Sequence, residues 1–277
     1  MFSAANKTLI LAAATLLASS CTTEAERRAA AAEDLRVQAV ELIKAGDHAQ
    51  AMALLDSIDS AYHEQTAVRR TALSSRAEAI AGLAMQQIGP ADERLAKATL
   101  RADSLAAYFV NVEGPRGLEG YAVAKDLAKQ NVTATTGVQP RVDNDGYISI
   151  AAVVKGKSIG LNAISVTTQN GTVKSEIISS DRCISSEGSE LTSFRQEEVA
   201  ALLSALEAAD GLPVKLFLDG SKGSVEVKLT ENMRSALVRS WQYAQALQEL
   251  RSAKIDRERL ERTLATARDH IANTVQP

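Results

Sequence analysis

A chain of 277 residues, 45% of them hydrophobic, is long enough to bury a sizeable core in one or two domains. Its formal net charge of −3, with no strongly basic block, argues against nucleic acid as a partner, because affinity there rests on clustered Lys and Arg neutralising phosphates. Cys21 and Cys183 are the two cysteines, too few for a disulfide framework of the kind that holds small secreted domains together.

The chain opens on Lys7, an apolar run from Thr8 to Ala18, and the small residues Ala18, Ser19 and Ser20 directly before Cys21. A membrane-spanning helix needs about 20 apolar residues, and this run is shorter. The layout is that of a secretory signal with a small-residue cleavage site, and an ordinary signal followed by a free thiol is one reading of it. The other comes from "LLASSC", which resembles a bacterial lipobox, with Ala18 where that family more often has leucine. The resemblance implies removal of residues 1–20, a diacylglycerol on the sulfur of Cys21, and an outer-membrane destination, since Thr22 and not aspartate follows. Several acyl chains on one residue, each contributing about 0.8 kcal/mol per buried methylene, would not dissociate readily. Whether such an anchor faces the periplasm or the cell surface is left open by these residues. With residues 1–20 removed and Cys21 acylated, as that resemblance implies, the net charge becomes −4 and Cys183 is left without an intramolecular disulfide partner. In "SSDRCISS" it reads as a small residue of a strand or turn and not as a reactive thiol.

Leu35, Ala39, Leu42 and Ile43 predict an amphipathic helix from Glu24 to about Ala45, ended by Gly46-Asp47. Ala51, Leu54, Leu55 and Ile58 predict a second from His48 to Tyr62. Residues 21–64 together resemble a single tetratricopeptide hairpin, with Gly46 at the turn and Ala51 at the close crossing; no second repeat follows. A long helix is predicted next, its seam running Leu73, Ala77, Ile80, Ala84, Ile88, Ala91, Leu95, Ala98, Ala102, Leu105 and Phe109. Gly89-Pro90 predicts a kink or two abutting helices within it. "YISIAAVV", "AISVTTQNGTVKSEII" and "VKLFLDGSKGSVEVKL" predict strands, two of these segments folding about Asn170-Gly171 and about Asp219-Gly220 to Gly223. Ser193 and Gln196 read as a capping box opening a helix that runs to Ala209. A last helix is predicted from Thr230 to Ile271.

The expected fold is therefore α+β: an N-terminal helical hairpin (21–64), a long helix (65–112), a mainly antiparallel β module (113–229) and a C-terminal long helix (230–277). Val68–Phe109 and Thr230–Ile271 are each 42 residues long and flank the β module. Their apolar seams predict antiparallel, coiled-coil-like pairing as a stalk, with Ala102 near Leu237 and Leu73 near Leu264 or Ala267.

Chemical motifs are sparse. "VKGKS" (Val154–Ser158) lacks the first glycine of a phosphate loop. "DNDG" (Asp143–Gly146) has its glycine too early for a calcium loop and reads as a hairpin turn. His48, His63 and His270 are assigned to separate helices with no i, i+4 partner, so no metal site and no cofactor is expected, and each histidine reads as a helix-surface residue. Trp241 and Tyr243 read as packing groups more than as a binding face. Ser57, Ser60 and Ser104 follow aspartates in "DSI", "DSA" and "DSL", a short pattern similar to envelope O-glycosylation sites.

The order of lipobox, "AGDHAQAMALLDSID" hairpin, long helix, "DNDGYISI" and "LTENMRSALVRSWQYAQAL" resembles uncharacterised Bacteroidales-type outer-membrane lipoproteins. That likeness implies architecture and brings no catalytic residue or cofactor. The function expected is a non-enzymatic, membrane-anchored envelope lipoprotein whose β module binds an envelope protein or glycan or has an organising role. A tetratricopeptide-type adaptor for a partner peptide and an enzyme with an unrecognised site are the alternatives.

Overall fold

The computed structural model describes residues 23–114, 119–186 and 188–275, so the signal segment and Cys21 lie outside the described residues. The fold is α+β with a mainly antiparallel β module. The helices are α1 (Glu24–Lys44), α2 (His48–Ala61), α3 (Thr66–Ala106), α4 (Gln196–Ala208) and α5 (Glu231–Val275). The strands are β1 (Phe109–Val112), β2 (Tyr121–Ala124), β3 (Gly137–Asp143), β4 (Ile148–Val154), β5 (Leu161–Thr168), β6 (Gly171–Lys174), β7 (Ile184–Ser186), β8 (Ser189–Arg195), β9 (Lys215–Gly220) and β10 (Gly223–Val227). Two compact units result, one extending to Asp92 and resuming at Asp256, the other Glu93–Ile255.

The first unit is helical. Thr23 opens α1 with a capping box: its Oγ1 accepts from the Glu26 amide at 3.3 Å and its own amide donates to Glu26 Oε2 at 2.7 Å. Gly46 turns the chain with φ of +82°, a conformation that costs glycine little. Ala51, Leu55 and Ile58 of α2 then bury against Ala39 of α1 and Ala72 and Ala79 of α3. Full burial of Leu55 and Ile58 contributes about 1.5–3 kcal/mol each before the cost of ordering them. Further along, Ala81 and Ala84 of α3 share a cluster with Leu264 and Ala267 of α5, joined by Ile80, Ile88 and Ile271. The carboxylate of Asp92 accepts from Arg257 Nε at 2.5 Å.

In this unit one open alternative is decided and two sequence expectations are corrected. The long helix passes through Gly89-Pro90 as one element and not as two abutting helices. Pro90 removes only the donor for the Gln86 carbonyl, while Ile88 is held in the cluster with α5. His63 sits in the turn between α2 and α3, not on a helix. His48 is not a free surface residue: its ring occupies the space a side chain at residue 82 would take, only 2.2 Å from where a Cβ on Gly82 would stand.

The second unit holds two antiparallel sheets, ordered β1-β2-β3-β4-β8-β7 and β10-β9-β5-β6. Helix α4 packs on β4 and β8 of the first sheet and on β5 and β6 of the second. Val199, Leu202, Leu203 and Leu206 of α4 thereby join Ile148, Ile150 and Phe194 from one sheet and Ile164, Val166 and Leu216 from the other. Ala236, Leu237, Trp241 and Ala244 of α5 enter the same core. Trp241 and Tyr243 are packing groups, Tyr243 stacked on Phe109 with ring centroids 4.6 Å apart. Pro140 is tolerated in β3 because β2 pairs only as far as Ala122 with Val142, leaving no ladder partner on that side for the missing amide.

Corrections arise here as well. The predicted helix running to Phe109 stops at Ala106, and Phe109 begins β1. Ser193 does not cap α4; it pairs with Ala151 inside the sheet, and the cap forms two residues later, where the Arg195 amide donates to Glu198 Oε2 at 2.7 Å. The pairing register of α3 and α5 is offset from the expected one. Arg101 Nη1 donates to Glu249 at 2.7 Å, whereas Leu237, the expected neighbour of Ala102, is buried in the sheet core. Leu73 is 59% exposed and touches neither Leu264 nor Ala267 in their cluster. The cause is that the first turns of α5 are committed to the sheets, so pairing with α3 begins later along the helix. In a chain lacking residues 1–21 and carrying Cys183→Ser, the pair Arg101→Cys and Glu249→Cys should join through a short bis-maleimide, while Ala102→Cys with Leu237→Cys should not. Gel mobility of the intact chain reads the result.

Candidate functional site

Alternation along β3 buries Val142 and turns Arg141 and Asp143 to the other face. The Arg141 guanidinium lies 4.7 Å over the Tyr121 ring and its Nε donates to Gln139 Oε1 at 3.1 Å. The β3–β4 connection is a turn, as "DNDG" suggested: Asp143 Oδ1 accepts from the amides of Asp145 at 3.0 Å and Tyr147 at 2.8 Å. That turn raises Tyr147 to the surface, where it is 53% exposed. The end of β8 supplies Arg195 and the start of α4 supplies Gln196 and Glu197, with Gln196 Oε1 accepting from the Ile148 amide at 3.2 Å. Together with Glu119 and Gly120 before β2, these residues line a cleft of about 440 Å³. It presents two guanidinium groups, three carboxylates and two tyrosines. The lining thus offers hydrogen-bond donors and acceptors of both charges beside an aromatic face.

A second polar cluster joins the sheets. Glu190 is 3% exposed, and its carboxylate accepts from Ser158 Oγ at 2.5 Å and from the amides of Ile159 at 3.1 Å, Gly160 at 3.0 Å and Leu161 at 3.0 Å. Burial alone would raise its pKa, but the Ser158 hydroxyl and the three amides outweigh burial and hold it below the usual carboxylate range. The same environment pushes the Cys183 thiol up, first through burial and then through the charge of Glu190. Cys183 is thereby kept as a thiol and is a poor nucleophile. Arg182 closes the cluster, paired with Glu198 and donating to the Ser193 carbonyl at 2.7 Å. Each acceptor of Glu190 is occupied from within the fold, which suits a structural tie and leaves no lone pair aimed at a substrate.

The residues singled out from sequence are scattered. Ser57 and Ser60 lie on α2 and Ser104 on α3, each hydroxyl donating to a carbonyl of its own helix: Ala53 at 2.9 Å, Asp56 at 3.0 Å and Arg101 at 2.8 Å. The aspartates of the first two patterns are engaged, Asp56 with Arg76, and Asp59 with Arg76 and Arg69. Ser158 of "VKGKS" belongs to the Glu190 cluster, its hydroxyl donating to the carboxylate. Among the described residues no group of three His, Cys, Asp or Glu side chains is placed to hold a metal ion. Sequence reasoning missed Arg141, Tyr147, Arg195 and Glu190. Strand alternation around "QPRVDNDGY" could have put Arg141 and Asp143 on one face, but no spacing signals the meeting of β3 with the α4 start. No protein-family model, curated protein or solved structure matches the chain.

Proposed function

We propose that this chain is a non-enzymatic envelope lipoprotein, anchored in the outer membrane through acylated Cys21, whose β-rich unit binds an envelope protein or glycan at the Tyr121–Arg141–Tyr147–Arg195 cleft. The lipobox-like "LLASSC" supports the anchor. The observation that carries the binding role is the cleft lining, in which an exposed Tyr147 adjoins two arginines and carboxylates on a sheet face. The adaptor reading has less behind it, since the apolar residues of the α1–α2 hairpin are used in packing against α3.

Two arms test the proposal. Replacing Cys21→Ala should abolish palmitate incorporation and release the protein from the membrane fraction; a variant still labelled and processed to the same size would end the anchoring claim. Tyr147→Ala with Arg195→Ala should lose the partner that the wild-type chain captures from intact envelopes, with stability changed by only about 0.5 kcal/mol or less per site because both side chains are exposed. Equal capture by both proteins would show that the cleft is not the binding surface.

A further inference from the structure

The helical unit has one end that its own chain forces toward the anchor. We infer that the α1 N-terminus and the α2–α3 turn form a face that rests on the phospholipid surface holding the lipidated Cys21, an inference that depends on the anchoring proposed above. The capping box at Thr23 starts α1 at Glu24, so only Thr22 separates the cap from Cys21. Two residues of chain span at most about 7 Å. A helix capped this close to its anchor has no tether on which to turn away.

The α2–α3 turn is fastened to the same end. Arg28 Nε donates to Glu64 Oε1 at 2.6 Å, its Nη2 donates to the Ala61 carbonyl at 2.6 Å, and its guanidinium lies 5.2 Å from the Tyr62 ring centroid. Tyr62, His63 and Glu64 must therefore travel with residue 24. The α1–α2 turn at Ala45 is at the other end of a 21-residue helix, about 30 Å away at a rise of about 1.5 Å per residue. The face carries Arg28 and Arg69 with Glu24, Glu26, Asp59 and Glu64, a charge-balanced polar surface with an aromatic residue that suits zwitterionic headgroups and not the hydrocarbon layer.

The full chain, with its leader and Cys183→Ser, is produced in a host that acylates lipoproteins and reconstituted in phosphatidylethanolamine vesicles containing a nitroxide-headgroup lipid. A fluorophore is attached at His63→Cys or at Ala45→Cys. The expected result is quenching at 63 at least threefold stronger than at 45, abolished when ten Gly-Ser residues are inserted after Thr22. Equal quenching at the two positions, or a difference that persists with the insertion, overturns the inference. Absence of palmitate on Cys21 overturns the anchoring itself, and that is measured independently of the fluorescence.

Discussion

Replacing Glu190 with alanine should lower the stability of the β-rich unit by about 4 kcal/mol, because three amides and one hydroxyl lose their acceptor and each stranded buried donor costs about 1–3 kcal/mol. The donors sit on the segment leading into β5 and the carboxylate on β8, so the tie runs from one sheet to the other. Ser158→Ala removes one donor and leaves the carboxylate served by the amides, so it should cost only about 1 kcal/mol. Glu190→Gln should fall between them, since it keeps one acceptor oxygen and turns an NH2 toward donors. Urea unfolding followed by circular dichroism orders the three variants. Equal stability of Glu190→Ala and wild type would show that the cluster contributes nothing. The pH dependence has a definite sign. The folded pKa of Glu190 lies below its unfolded value of about 4.3, so between the two the unfolded chain binds the extra proton. The stabilisation is complete above the unfolded value and is lost as the pH falls through the folded one. Glu190→Gln should flatten that acid limb.

The second large effect is expected at Gly146. Its φ is +85°, and a Cβ there would stand 2.8 Å from the Leu247 Cβ, 2.9 Å from the Ala244 carbonyl oxygen and 3.0 Å from the Gln248 amide nitrogen. Two of those three atoms belong to the α5 backbone, which cannot rotate out of the way as a side-chain end could. Gly146→Ala therefore combines the left-handed penalty of about 1–2 kcal/mol with displacement of the turn from α5, for a total of about 3 kcal/mol. The displacement also breaks the bond in which Gln248 Nε2 donates to the Gly146 carbonyl at 2.9 Å. Gly156→Ala is the control: its φ is +73° and nothing stands within 4 Å of the added carbon. It should cost only the conformational part. Thermal melts of the two variants separate the contributions, and equal losses would show that α5 does not press on the turn.

The same turn shows how far local chemistry reaches. "DNDG" names a turn because Asp143 can serve the amides that follow it and glycine accepts positive φ, both properties of four residues. Why alanine would fail at 146 depends on α5, which is about a hundred positions further along the chain. The cleft follows the same division. Arg141 and Asp143 share a face by strand alternation alone, but Arg195 and Gln196 join them only because β4 pairs with β8 and α4 begins where β8 ends.

The helical segments were legible because their apolar spacing of three and four is a local property that packing then uses: Leu55 and Ile58 bury on the face their spacing marks. Hairpins were legible to within a residue or two: β5–β6 turns at Gln169-Asn170 with Gly171 already paired to Thr168, and β9–β10 turns at Ser221-Lys222 with Gly220 paired to Gly223, because the ladder register and not the dipeptide sets which residues close the loop. Strands β1 and β2 carry four residues each, too few to show a period, and exist because neighbouring strands complete their hydrogen bonds. The offset between α3 and α5 was likewise beyond reach. Equal helix lengths suggested end-to-end alignment, yet an apolar seam of alanines offers nearly equivalent registers, and the choice went to the one that lets Leu237 and Trp241 enter the sheet core. Glu190 is the extreme case: a glutamate beside a turn reads as solvated, and only the fold brings Ser158 and three amides to it and makes burial of its charge tolerable. Sequence by itself determined the elements, the tight turns and the candidate anchor motif, because each rests on residues adjacent in the chain. Tertiary structure decided register, the cleft and the buried charge, because each depends on groups that meet only after long loops have closed.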